Sequence, residues 1–199
     1  MAFTYFFRDL QALEMIRIHV VPVLRSYRYI RIWDAGCAMG PEPYSLAIIL
    51  RENMAAAFGN VRIYATDIDE SGRFGDIIRE GVYSKDQVKR IPKQIFQKYF
   101  KQDGMAGYFR ISEEIRGCVQ YHRHDLLSLN PIRTDLGLIL CKNVLLHFTE
   151  AQRIDVIRMF YGALREAGFF VTEQTQKMPQ ELSHLFKPVV PNAQVFRKV

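Results

Sequence analysis

The chain has 199 residues, 49% of them apolar, a length and composition that fit one folded domain with a buried core and exclude intrinsic disorder. No apolar run reaches bilayer length, and Arg8 and Asp9 interrupt the N-terminus where a secretory leader would be uniformly apolar, so a cytosolic protein without membrane insertion is expected. The net charge of +6 points to an acidic partner or a solubilising surface, and Cys37, Cys118 and Cys141, without CxxC spacing, read as buried thiols.

In chain order the periodicity predicts a strand at 30–34, a helix at 43–54, a strand at 61–66 and a helix at 72–80. Strands at 119–122, 136–141 and 169–173, with a helix at 150–167 before the last, continue the alternation. This is an α/β fold with a mostly parallel sheet and helices on both faces. Residues 85–118 break the pattern: Pro92 opens a short helix with Ile95, Phe96, Tyr99 and Phe100, and glycines then separate short strand-like runs, which predicts a small antiparallel insertion. Lys85, Lys89, Arg90, Lys93, Lys98 and Lys101 concentrate the basic charge there, as a solvated face or a surface for an acidic protein. Thr149 and Gln152 form a capping-box pattern, Ile154, Ile157, Phe160 and Leu164 form a stripe, and Gly168 is expected to end that helix. Val189-Val190 and Val195-Phe196, around a Pro-Asn turn, predict a C-terminal hairpin on the sheet edge.

The first strand runs into AGCAMGPEP, with Gly36 and Gly40 spaced GxxxG and Glu42 entering the helix. A strand, tight turn and helix N-terminus is where open α/β sheets bind nucleotide-like cofactors. The spacing is not GxGxxG and no Gly-Lys-Ser/Thr follows, which disfavours a nicotinamide or ATP site. A cofactor joining an adenosine to an amino acid, such as S-adenosylmethionine, fits a glycine loop carrying a carboxylate; a plain strand-to-helix turn is the alternative. The second strand ends in ATDID, so Asp67 can accept both ribose hydroxyls, while Asp69 is better explained as a turn or helix cap. The third strand ends in His124-Asp125-Leu126-Leu127 and the fourth in Cys141 to Phe148. Asp125 can read an adenine amino group, and Lys142 and Asn143 can line the amino-acid end of the cofactor or the substrate; ordinary loop roles remain the alternative for each. No zinc spacing, RNP-like strand or basic-region heptad supports a metal centre or nucleic acid partner.

Taken together, these pieces resemble the chemotaxis-receptor methyltransferase (CheR) family. The matching segments are TYFFRD at 4–9, AGCAMGPEPYSLA at 35–47, ATDID at 65–69, DLL at 125–127 and CKNVLLHF at 141–148, in the family's order and spread over nearly the whole chain. The resemblance implies a Rossmann-like class I methyltransferase domain over 1–199, with 85–118 as the family's small β-subdomain and without the helical domain that precedes the motif in relatives. It implies transfer of a methyl group from S-adenosylmethionine to glutamate side chains of chemoreceptor cytoplasmic domains, with S-adenosylhomocysteine as product; separately, a monomer is expected. Thr4, Arg8, Glu42, Asp67, Asp125, Leu126, Lys142 and Asn143 become cofactor-contacting positions, with Gly36 in the loop beside them. Arg8 is the natural group to orient a carboxylate, an ion pair with Asp9 being its structural alternative.

Four positions depart from the family. Ala2 replaces an Asn, Lys142 replaces the Arg of an Arg-Asn pair, and His147 stands where a tyrosine lies near the transferred methyl and can donate a hydrogen bond in its place. The last parallel strand reads FFVTEQTQ without the usual Gly and Ser-Glu. These departures leave as alternative a catalytically impaired S-adenosylmethionine-binding regulatory module. Methylation of a nucleic acid or small molecule would call for an Asp/Asn-Pro-Pro-aromatic motif, and CKNV stands in that place.

Overall fold

The computed structural model describes residues 4–199, so Ala2 lies outside the described residues. Among the described residues ten strands form two sheets: β1 (Ile30–Ala35), β2 (Val61–Asp67), β3 (Val82–Ser84), β4 (Phe100–Gln102), β5 (Tyr108–Ile111), β6 (Val119–Arg123), β7 (Leu136–Cys141), β8 (Leu164–Thr172), β9 (Phe186–Pro188) and β10 (Val195–Lys198). The seven-stranded sheet has the order β6-β2-β1-β7-β8-β10-β9. Its first five members are parallel, and β10 and β9 add antiparallel at the edge. The chain moves outward from β1 to β2 and β6, then returns to β7 on the other side of β1. That reversal opens a crevice at the carboxyl ends of β1 and β7, where ligands of such sheets bind.

Strand alternation divides the core into two layers. Ile30, Ile32, Leu138 and Leu140 pack on one face with Leu46 and Leu50 of the helix Pro41–Met54. Trp33, Ala35, Ile139 and Cys141 pack on the other with Ile157 and Phe160 of the helix Glu150–Ala163. By the same alternation Asp34 falls on the Pro41–Met54 side, inside an apolar layer and fully buried. All three cysteines are free and buried. Among the described residues no helix is long and apolar enough to cross a membrane.

The small sheet has the order β3-β5-β4, antiparallel throughout, and its first strand lies just before the expected start at 85. It packs on the N-terminal segment through aromatic edges: Phe6 meets Tyr83 at 4.9 Å and Phe100 at 5.4 Å, both edge to face. The Tyr83 hydroxyl donates to the Met39 carbonyl of the glycine loop at 2.9 Å. The six clustered basic residues are all exposed, with Lys98 paired to Glu52 at 2.6 Å and Arg90 lying 4.2 Å over the Tyr5 ring.

Several boundaries differ from the sequence expectation. The last long helix ends at Ala163, not 167, because β8 already begins at Leu164, opposite Leu136. A register shift follows, and a side chain on Gly168 would stand 3.0 Å from the carbonyls of Arg165 and Leu136, so this glycine serves a bulge and not a helix end. The helix expected from 72 starts at Phe74, since the Asp69 carboxylate accepts from the Arg73 and Phe74 amides. The hairpin uses β9 at Phe186–Pro188, ahead of Val189, with Pro188 tolerated on an edge strand.

The Glu150–Ala163 helix has its capping box in both directions: Gln152 N donates to Thr149 Oγ1 at 3.3 Å, and Thr149 N donates to Gln152 Oε1 at 2.9 Å. Thr149→Ala is expected to cost about 1 kcal/mol and lower the melting temperature by about 2–4 °C, read by thermal unfolding, while leaving cofactor affinity unchanged.

Candidate active site

The glycine loop is shaped by what faces it. Gly36 has φ of +108°, and a Cβ there would lie 2.1 Å from Val144 Cγ2, so the loop after β1 and the turn after β7 touch where only glycine fits. The Gly36 and Cys37 amides both donate to the Thr66 carbonyl, at 2.7 and 3.0 Å. The next amide, Ala38, donates to Asp67 Oδ2 at 2.9 Å, while Asp69 N donates to Oδ1 at 3.1 Å. Asp67 is thereby clamped at the end of β2, each carboxylate oxygen holding one amide and keeping a lone pair. Asp69 instead accepts from Ser71, Phe74 N and Tyr121, the turn role expected for it. Burial works to raise its pKa, and these hydrogen bonds outweigh burial and hold it below the ordinary value.

At the end of β6, Asp125 accepts from Leu127 N at 2.9 Å and caps the short turn Leu126–Ser128. At the end of β7, Asn143 adopts φ of +58°, a left-handed conformation that Asn tolerates, and its amide donates to Glu173 Oε2 at 2.9 Å. The N-terminal segment folds over the same end. Phe7, with φ of +57°, donates its amide to Ser45 Oγ at 2.9 Å, and Asp9 then caps the helix Leu10–Met15 through Ala12 N. Asp9 Oδ2 lies 2.8 Å from Lys142 Nζ, and Glu42 Oε2 lies 3.9 Å from it. Lys142, only 4% exposed at its side chain, is therefore an internal counter-ion as well as a wall residue. Burial raises the Asp9 pKa, but the Lys142 and Ala12 hydrogen bonds more than offset it and Asp9 stays below its ordinary range.

These elements enclose a cavity of 610 Å³, in the size range of small-molecule sites. Thr4, Arg8, Gly36, Glu42, Asp67, Asp125, Leu126, Lys142, Asn143 and His147 all line it, so every site position read from the sequence converges there. The lining is segregated. Ile68, Leu126, Leu127, Val144 and Phe148 supply an apolar wall, Asp67 and Asp125 sit beside it, and Glu42, Lys142 and Arg8 lie together. That donor set suits an S-adenosylmethionine: a flat apolar base, a ribose diol for a clamped carboxylate, and a zwitterionic amino-acid end. His147 is exposed in the short turn Leu145–His147.

Two charged groups at this end escaped the sequence reading. Asp34 is fully buried at the end of β1, and neither of its carboxyl oxygens has a hydrogen-bond partner among the described residues. Glu173 is 6% exposed, holds the Asn143 amide and the Thr172 hydroxyl, and keeps Oε1 without a hydrogen-bond donor among the described residues. The available signal was a carboxylate at the carboxyl end of an otherwise apolar strand, in IRIWDA and again in FFVTE. Asp67→Ala is expected to weaken S-adenosylhomocysteine binding by about 1.5–3 kcal/mol in a calorimetric titration, the range for hydrogen bonds to a charged acceptor.

A protein-family model described as "CheR methyltransferase, SAM binding domain" matches residues 2–194. Similar curated proteins include a probable chemotaxis protein methyltransferase of Rhizobium etli, 29% identical over 92% of this chain and 70% of that protein. Chemotaxis protein methyltransferase 2 of Pseudomonas aeruginosa is 30% identical over 94% of this chain and 66% of that protein. The chemotaxis protein methyltransferase of Borreliella burgdorferi is 32% identical over 84% and 62%. The chain thus spans roughly two thirds of the length of these relatives. Among solved structures, the rRNA methyltransferase aviRa of Streptomyces viridochromogenes aligns over 98% of this chain and 86% of its own, with a TM-score of 0.59 at 11% identity. A TehB-like SAM-dependent methyltransferase of Corynebacterium glutamicum aligns over 96% and 86%, with a TM-score of 0.50 at 15% identity. At such identities the likeness establishes the class I methyltransferase fold, and the family match establishes the rest. The chain belongs to the CheR methyltransferase family, as its S-adenosylmethionine-dependent methyltransferase domain.

Proposed function

We propose that this domain esterifies glutamate side chains in the cytoplasmic part of chemoreceptors, using the strand-end cavity to hold S-adenosylmethionine. The observation that carries the reading is the convergence of the glycine loop, the clamped Asp67, and the Arg8, Glu42 and Lys142 group around one 610 Å³ cavity in a CheR-family chain. By this reading Asp67 takes the ribose diol, Asp125 and Leu126 take the adenine, and Thr4, Glu42, Lys142 and Asn143 border the amino-acid end. The proteins bearing the names of chemotaxis methyltransferases support a receptor substrate.

The cofactor supplies an electrophilic methyl group on a sulfonium, which leaves with its sulfur–carbon bond electrons on sulfur as a glutamate oxygen forms the new bond. A glutamate side chain, with an ordinary pKa of about 4.3, is already ionised at neutral pH, so no residue has to remove a proton. What the protein contributes is alignment and removal of water from the carboxylate. By this reading Arg8 holds the incoming carboxylate and His147 donates a hydrogen bond to it, both being exposed residues of the cavity lining. Phe148, Leu146 and Val144 shield that mouth with apolar surface.

A second reading, a cofactor-holding module without turnover, draws on Lys142: its ammonium is engaged by Asp9 inside the protein, where the family carries an arginine fork. The two readings separate on a single assay. Purified protein, methyl-labelled S-adenosylmethionine and receptor cytoplasmic fragments are expected to yield base-labile methyl ester. Cofactor binding without ester selects the module. Arg8→Ala is expected to reduce ester formation at least tenfold with the melting temperature within about 2 °C of the parent, since surface substitutions cost little stability. A collapse of melting temperature alongside activity would make Arg8 structural.

A further inference from the structure

The turn after β7 supplies more of the cavity wall than any other segment: Lys142, Asn143, Val144, Leu146, His147 and Phe148 all line it. Val144 is also the residue that fits against Gly36. Where this turn lies therefore sets both the cavity's shape and the place of its polar groups. The ladder between β7 and β8 stops at the pair Cys141 and Thr172. Asn143 lies past that pair and bends the chain with φ of +58°. A backbone N–H at such a place needs an acceptor that the neighbouring strand's main chain no longer supplies. Glu173 supplies it from its side chain: Oε2 accepts from Asn143 N at 2.9 Å and from the Thr172 hydroxyl at 2.9 Å. Glu173 is 6% exposed and does not itself line the cavity. Further along, the amides of His147 and Phe148 bond inside the turn, to the carbonyls of Val144 at 3.0 Å and Leu145 at 3.1 Å, while Leu145 is buried in the core. The turn thus has an apolar anchor at Leu145 and a polar one at Glu173.

We propose that Glu173 is a positioning residue for cofactor binding: reaching from the end of β8, it stands in for the missing strand acceptor, fixes Asn143 in its left-handed turn, and so holds Lys142, Asn143 and His147 at their places on the cavity wall. The role rests on the reading of this cavity as the S-adenosylmethionine site. Reach, and not charge, is what the geometry requires. Both hydrogen bonds end on Oε2, and Oε1 is buried without a partner among the described residues. A neutral acceptor of the same length can therefore hold both donors. A carboxylate one methylene shorter would draw back from Asn143 by roughly 1.5 Å, out of hydrogen-bond range.

Three substitutions in the full chain separate reach from charge: Glu173→Gln keeps the length, Glu173→Asp keeps the charge, and Glu173→Ala keeps neither. The readouts are hydrogen exchange at the Asn143 amide and calorimetric titration with S-adenosylhomocysteine. Glu173→Gln is expected to keep Asn143 protected and the affinity within about twofold of the parent, whereas Glu173→Asp and Glu173→Ala are expected to lose the protection and about tenfold in affinity, a magnitude suited to a displaced binding group. Melting temperature would not follow that order, because the glutamine amide buries an unpaired NH2 where Oε1 stands and loses stability while still binding. Parent affinity in all three folded variants would make Glu173 merely structural and overturn the proposal. Rescue by Glu173→Asp but not by Glu173→Gln would make charge the cause and overturn it as well. If Glu173→Ala fails to fold, the aspartate and glutamine variants still decide. A parent protein that binds no S-adenosylhomocysteine overturns the cofactor reading and this proposal with it, while a binding parent beside unaffected variants overturns the proposal alone.

Discussion

The Lys142 ammonium holds the functional end of this molecule together. It comes from the end of β7, is almost fully enclosed, and meets Asp9 at the start of the N-terminal helix and Glu42 at the start of the helix after β1. Three segments distant in sequence are thereby tied at one point above the sheet. An ion pair so enclosed is costly to break one-sidedly, roughly 3–5 kcal/mol where a partner is removed, because the remaining charge is stranded. The TYFFRD segment, which on its own has little reason to cross the strand ends, is fixed there by this pair, by the Phe7 amide on Ser45, and by Phe6 buried between Tyr83 and Phe100.

From that tie the cavity follows. The reversal of chain direction between β1 and β7 leaves a gap at the strand ends, the glycine loop floors it, and the N-terminal segment closes one side. The small sheet contributes indirectly: the Tyr83 hydroxyl on the Met39 carbonyl braces the outer half of the glycine loop. With the proposed glutamate substrate, methyl transfer needs no proton relay, and the site's task becomes chiefly one of alignment and dryness. Its residues accordingly include carboxylates pinned by amides, an apolar wall and an enclosed cation. No arrangement of nucleophile and base is required.

Much of this was legible in the sequence. Strand periodicity located every parallel strand within a few residues, except that β8 begins at Leu164; polar residues at strand ends pointed to Asp67, Asp125, Lys142, Asn143 and His147, the glycine loop and helix start to Gly36 and Glu42, and the family resemblance to Thr4, Arg8 and Leu126, all of which line one cavity. What was not legible depends on long-range geometry. Gly168 looked like a helix terminator because a glycine after an amphipathic stripe has that meaning locally; only the pairing of Leu136 with Leu164 turns it into a bulge residue. Asp34 and Glu173 were passed over because a single acid in an apolar run carries no periodic signal, and the significance of Glu173 arises from Asn143 coming to it through the fold. Asp9 read as a neighbour of Arg8, and its ion pair with Lys142, 133 positions later, is invisible locally.

The most direct test of the central claim, that one strand-end cavity holds the cofactor, is the backbone amide spectrum of the isotopically labelled protein titrated with S-adenosylhomocysteine. The amides of Gly36, Ala38, Asp69, Leu127 and Asn143, which come from four different loops and meet only in the folded protein, should shift together and saturate at one concentration. Shifts confined to the small sheet, or to a single loop while the others stay still, would contradict the account.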